Sequence, residues 1–141
     1  MNRIKMEMDA ISENEGLARV CVAAFAARLD PTLEEINDLK TAVSEAVTNS
    51  VIHGYGNKGG IIEISATIEG NTIEVKITDY GKGIEDIAKA MEPMYTTDAE
   101  HERSGMGFTF MEIFMDELEV SSKKDEGTII IMRKRFGKLS E

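Results

Sequence analysis

Residues 61–83 read "IIEISATIEGNTIEVKITDYGKG". Two runs in this stretch alternate apolar with polar residues. Ile62, Ile64, Ala66 and Ile68 share one face of the first run, and Ile73, Val75 and Ile77 share one face of the second. Gly70-Asn71 between them suits a tight turn, so the stretch predicts an antiparallel hairpin with one buried and one wet face. The second run ends in "DYGKG", an acid followed by two spaced glycines. Taken alone, that is a strand end closing into a glycine turn, or a turn that holds a ligand.

A sheet with one apolar face needs a covering layer, and the flanking sequence supplies it. Upstream, "IKMEMDAIS" is short enough for an edge strand or an extended lead-in. "SENE" at 12–15 has the Ser-x-x-Glu form of a capping box, and Leu17, Val20, Cys21, Ala24 and Phe25 follow at helical spacing to about Leu29. Pro31 ends that helix, Thr32 and Glu35 form a second box, and Ile36, Leu39, Val43, Ala46, Val47 and Ser50 make one face of a helix reaching about Ile52. "HGYGNKGG" at 53–60 then stops it. Downstream come a short helical candidate at 84–91, an irregular charged stretch from Glu92 to Arg103, "SGMG", a helix opening near Phe108, and two strands, "LEVSSK" and "GTIIIMRKR". The order predicts an α/β two-layer sandwich, with a mixed, mostly antiparallel sheet covered by helices on one face.

At 141 residues the chain predicts one domain, 1–141, with a core that needs neither disulfide nor metal. The lone cysteine, Cys21, sits in an apolar run and excludes a disulfide framework or a Cys/His zinc cluster. The formal net charge of −10, from 26 acidic against 16 basic side chains, leaves no basic stripe for a nucleic-acid backbone. No stretch has the apolar block of a signal peptide or a membrane span, so a soluble, cytoplasmic protein is expected. An anionic ligand would have to be held locally, by a few basic side chains, backbone amides and a metal ion.

Three short patterns carry candidate chemistry. Glu45 and Asn49 lie four apart, one turn above the other on one face of the second helix, flanked by Thr41 and Thr48. Such a pair is a solvated helix face or a functional one; Asn is a poor interior helix residue, which favours a use for it. Asp79 can accept a hydrogen bond from an exocyclic amine, while Gly81 and Gly83 would let a flat ring approach the backbone. Gly105 and Gly107 precede a helix start, where free N–H groups and the helix dipole suit phosphate as well as an ordinary loop. The irregular residues before them have the length of a lid or binding loop.

Taken in order, Glu-x-x-x-Asn on a helix, Asp-x-Gly-x-Gly after a strand, Gly-x-Gly opening a helix and Gly127-Thr128 opening a late strand resemble the GHKL superfamily of ATP-binding domains, over roughly residues 40–132. That superfamily is shared by gyrase-type ATPases, MutL and histidine kinases. With "SEAVTNSVIHGY", "RSGMGF" and the short chain, the closer resemblance is to the bacterial anti-sigma factor serine kinases. The resemblance implies the GHKL (Bergerat) fold, ATP and Mg2+ as cofactors, Asn49 as the Mg2+ ligand and Glu45 as the general base. It also implies Asp79 on the adenine amino group, Gly81 and Gly83 beside the ring with Thr128 assisting, and Ser104, Gly105, Met106 and Gly107 at the phosphates. Residues of about 92–104 would be the lid. Arg103 would either offset γ-phosphate charge or meet a partner. A sigma factor, an anti-anti-sigma protein phosphorylated on serine, and a second copy in a homodimer are the implied partners, with neither nucleic acid nor membrane. A nucleotide-gated binding module that leaves Glu45 unused is the alternative.

The sequence departs from other branches of the superfamily: no room is left for a second domain carrying a γ-phosphate lysine, and no helical dimerisation segment carries a phosphorylated histidine. His53, after the second helix, suits a structural hydrogen bond. Met91, Met94, Met106, Met111 and Met115 cluster around the lid and the helix after it, as core gap-fillers or as an adaptable partner surface. Ala23, Ala26 and Ala27 widen the stripe of the first helix toward a dimer or docking face, with Glu15 and Arg19 at its margin.

Overall fold

The structure is a computed structural model that describes residues 1–91 and 107–137. Its five strands are β1 Asn2–Asp9, β2 Ile61–Glu69, β3 Thr72–Asp79, β4 Glu117–Lys123 and β5 Gly127–Arg135. They form one sheet in the order β1-β2-β3-β5-β4, and all four pairings among the described residues are antiparallel. β1 is the edge strand that the sequence allowed. The helices are α1 Glu13–Ala26, α2 Leu33–Asn49, the short α3 Ile87–Ala90 and α4 Gly107–Phe114.

The predicted hairpin sets the register. Glu69 pairs with Thr72 around a two-residue turn in which Gly70 takes a left-handed φ of 61°. Ile64 then faces Ile77, and Ala66 faces Val75, all of them buried. Ile130 and Met132 of β5 continue the same face. At one end of the sheet the inner face turns polar. Met8 pairs with Ile62, Ile62 with Asp79, Asp79 with Thr128, and Thr128 with Ser122, so one row runs from apolar to polar across five strands.

α2 starts as the sequence predicts. The Glu35 N–H donates to Thr32 Oγ1 at 3.0 Å, and the Thr32 N–H donates to Glu35 Oε1 at 2.8 Å. The Gly137 N–H donates to the other carboxylate oxygen at 3.0 Å, tying the start of α2 to the end of β5. Leu39, Ala42, Val43, Ala46 and Val47 form its buried face. The α-helix ends at Asn49, short of Ile52, because the chain widens into one π-helical turn, Ser50–Gly54, closed by the Tyr55 N–H on the Ser50 carbonyl at 2.9 Å.

α1 corrects the sequence reading twice. Ser12 has helical dihedrals and makes no side-chain cap. Glu15 turns instead to Arg19, at 2.8 Å, while Asn14 Nδ2 donates to the Asp9 carbonyl at 2.9 Å. The buried face is Ala18, Val22 and Ala26, and Leu17 and Val20 stand about half exposed, at 53% and 56%. The small side chains Ala18 and Ala26 of α1 share one core with Ala42 and Ala46 of α2, while the larger Leu17 and Val20 turn outward. Of the alanine stripe, Ala26 is buried and Ala27 is exposed. The helical candidate at 84–91 shortens to Ile87–Ala90, capped by Asp86, whose Oδ1 accepts from the Lys89 N–H at 3.0 Å. Met111 and Met115 fill the core beneath α4, Met91 is half-buried, and Met94 and Met106 lie outside the described residues. Among the described residues no helix is long and apolar enough to cross a membrane.

Candidate active site

The end of α2 and its π-helical turn bring two groups of candidate residues to the polar end of the sheet. Glu45 is the first. Although ionisable, it is 9% exposed, one turn before the end of α2. A β-carbon on Gly107, the first residue of α4, would stand 3.5 Å from Glu45 Oε2, so the carboxylate lies beside the α4 N-terminus. Asn49, four residues on, is the last residue of α2 and half-buried. Its backbone leads directly into Ser50 and Gly54, which reach the second group.

That group centres on Asp79, the last residue of β3 and only 2% exposed. Its Oδ1 accepts from the Gly81 N–H at 3.0 Å. Oδ2 is buried and completes no hydrogen bond of ordinary geometry, although the Ser50 hydroxyl and the Thr128 backbone lie close enough to favour the charged carboxylate. Burial, the largest influence, pushes the carboxyl above its ordinary range. The Gly81 N–H, the Ser50 hydroxyl and the Thr128 backbone pull less strongly the other way. Gly54 lies against the carboxylate, where a β-carbon would be 2.9 Å from its atoms. Thr128, 3% exposed, stands directly across the β3–β5 ladder from Asp79.

The two glycines after Asp79 also have a packing role that the sequence did not suggest. A β-carbon on Gly81 would overlap the Gly54 carbonyl, which accepts from the Lys82 N–H at 2.9 Å. One on Gly83 would overlap the Lys123 carbonyl. Both therefore let backbone pack on backbone, the first against the π-helical turn and the second against the β4–β5 turn, where the Asp125 N–H donates to the Lys82 carbonyl at 2.6 Å. Tyr55 braces the same loop: its hydroxyl donates to the Ile61 carbonyl at 2.6 Å and accepts from the Tyr80 N–H at 2.7 Å.

Sequence reasoning missed Ser50, Gly54 and Ser122. The first two sit in "NSVIHG", directly after Asn49, where a helix bulge has no residue signature. Ser122 in "LEVSSK" gives no local sign of its surroundings. A cavity of about 220 Å³ at this end of the sheet is lined by Thr78, Tyr80, Ser121, Lys123 and Ile129 together with Asp79, Ser122 and Thr128. It lies mainly on the wet face, toward which Tyr80 turns to Glu63, and not on the face that buries the Asp79 and Thr128 side chains. Arg103, Ser104, Gly105, Met106 and most of the expected lid, from residue 92 on, lie outside the described residues.

The donor set at the α2 end fits a cation held mainly by its ligand. Among the described residues no cluster of three or more His, Cys, Asp or Glu makes a metal cage, while Asn49 offers a single amide oxygen. Mg2+ is bound in just this manner, by one or two protein oxygens with the remainder from phosphates and water. At the other end, a buried acceptor with an open oxygen suits a polar N–H of a flat ring.

Residues 9–134 match the model of the histidine kinase-like ATPase domain family. The chain is similar to the anti-sigma F factor of Clostridium acetobutylicum, 56% identical over 140 residues that cover 99% of this chain and 98% of the relative. It is 60% identical to the anti-sigma F factor of Thermoanaerobacter sp. (strain X514) over 136 residues, 96% of this chain and 95% of that one. Among solved structures, the RsbU and RsbW domains of a Mycobacterium tuberculosis protein align with a TM-score of 0.68 at 20% identity, covering 96% of this chain and 32% of that chain. The catalytic domain of histidine kinase ThkA aligns with a TM-score of 0.57 at 14% identity, covering 96% and 97%. At those identities the two structures speak for the fold, a helix-covered antiparallel sheet of the histidine kinase type.

Proposed function

Since this chain belongs to the histidine kinase-like ATPase domain family, we propose that it is an ATP-dependent anti-sigma factor with protein serine kinase activity. The observation that carries the nucleotide reading is the Asp79 carboxylate, buried at a strand end with one oxygen unpartnered. A buried acceptor left open costs stability unless something fills it, and the 6-amino group of adenine does. The anti-sigma reading rests on near full-length similarity to relatives of that name.

In this reading Asp79 and Thr128 hold the base, and Gly81 and Gly83 hold the loop that frames it. Asn49 offers its amide oxygen to Mg2+, which when bound neutralises phosphate charge. Ser104, Gly105, Met106 and Gly107 hold phosphates at the start of α4, where backbone N–H groups are unspent. Arg103 offsets γ-phosphate charge or meets a partner. Glu45, beside Gly107, takes the proton from a serine hydroxyl of an anti-anti-sigma protein as that oxygen bonds the γ-phosphorus and the bond to ADP breaks. A lid of about 92–104 excludes water during transfer. Leu17 and Val20, turned out from α1, supply apolar surface for the sigma factor or for a second copy in a homodimer. The setting is the cytoplasm.

Incubation with labelled ATP, Mg2+, the sigma factor and its serine-bearing antagonist tests the proposal. Label on the antagonist's serine is expected. ATP-dependent capture of the sigma factor without label would leave a nucleotide-gated module and remove the kinase.

A further inference from the structure

Ser122 holds three hydrogen bonds on one oxygen. The Ile84 N–H donates to Oγ at 2.7 Å, Oγ lies 2.9 Å from the Gly127 carbonyl, and it lies 2.8 Å from Thr128 Oγ1. A hydroxyl has one proton and two lone pairs. The Ile84 N–H occupies one lone pair. The Gly127 carbonyl can only accept, so it takes the Ser122 proton. The one group left for the Thr128 hydroxyl proton is the second lone pair of Ser122. Thr128 therefore donates to Ser122 and presents only lone pairs to whatever enters beside it.

Asp79 stands across the ladder from Thr128, and as a carboxylate it too only accepts. The row Asp79, Thr128, Ser122 thus sets acceptors side by side on the buried face of the sheet. We propose that Ser122 is a specificity-determining residue: by fixing the Thr128 hydroxyl as an acceptor, it selects purines with an exocyclic 6-amino group over those with a 6-oxo group. A 6-amino group brings two N–H donors to two acceptors. A 6-oxo group brings lone pairs against lone pairs, and with Ser122 in place Thr128 can donate to it only by giving up its own bond to Ser122. Ser122 acts here through Thr128 and not by touching the base.

The proposal rests on the ATP reading above, and titration of ATP and of inosine triphosphate into the full chain separates the two. The wild-type protein is expected to bind ATP tightly and inosine triphosphate weakly. In Ser122→Ala the Thr128 proton is released, and the ratio of the two dissociation constants should narrow by about fivefold, the worth of one hydrogen bond. Ser122→Cys, nearly isosteric and a poor acceptor, should narrow it in the same direction and serves where Ser122→Ala loses the fold. On a Thr128→Val background, which has no hydroxyl, Ser122→Ala should leave the ratio unmoved. A ratio unchanged by either Ser122 substitution in a protein that still binds ATP would overturn the Ser122 role alone. The same narrowing on the Thr128→Val background would overturn it too. No ATP binding by the wild-type chain would overturn the nucleotide reading itself.

Discussion

Gly81 packs so closely on Gly54 that a β-carbon on the first would overlap the carbonyl oxygen of the second. The contact fixes the loop after β3 against the turn after α2, and so sets the Asp79 carboxylate between them. Gly81→Ala must part the two backbones. It should destabilise the protein by about 1–3 kcal/mol, as overpacking does, and weaken nucleotide binding further than the stability loss explains. Gly16 in α1 is the contrast, since the nearest atom to a β-carbon there is an Arg19 nitrogen at 4.0 Å. Gly16→Ala should stabilise by about 0.5–1 kcal/mol, with nucleotide affinity unchanged. Denaturant melts and calorimetric titration of both variants check the pair.

Glu35 accepts from two backbone N–H groups, of Thr32 and of Gly137, and chiefly the Thr32 bond holds its carboxyl below the ordinary value of 4.5. Glu35→Ala should cost about 1 kcal/mol, the usual worth of a lost cap. Because the folded pKa is the lower one, this contribution is present above 4.5 and fades as pH falls through the folded value. The difference between wild type and variant in urea midpoint should therefore shrink in acid. An undiminished difference at low pH would remove the charge from the explanation.

Glu45 lies beside the start of α4, away from Asp79 along α2. Glu45→Gln keeps the shape and removes the base. ATP affinity should hold within about threefold while transfer to the acceptor serine falls at least about a hundredfold, the lower range for loss of a general base. Single-turnover transfer with labelled ATP measures it, and retained transfer would exclude Glu45 from proton removal.

The hairpin at 61–83, the Thr32 to Glu35 box and the strand-end position of Asp79 were legible because each is decided by residues within a few positions of one another. α1 was not. Its apolar residues satisfy helical spacing on two faces, one through Leu17 and Val20 and one through Ala18 and Val22, and only packing against α2 chooses between them. The packing of the "DYGKG" glycines on Gly54 and Lys123 was not legible, because it depends on segments remote in sequence. Ser122 was invisible for the same cause: its meaning comes from Ile84, Gly127 and Thr128, brought together by the β4–β5 pairing.

Asp79 carries the central claim, and Asp79→Asn puts it to the most direct measurement. In the unligated protein the raised folded pKa means that ionising this carboxyl opposes folding. The penalty sets in as pH rises past the ordinary 3.8 and is complete above the folded value. At pH 7 the unligated Asn variant should thus melt at or above the wild-type temperature. Its ATP affinity, by calorimetric titration with Mg2+ present, should fall at least about a hundredfold, since a site built to accept a hydrogen bond from the base would instead face it with the wrong group. Wild-type affinity for ATP in a folded Asp79→Asn protein would contradict the account.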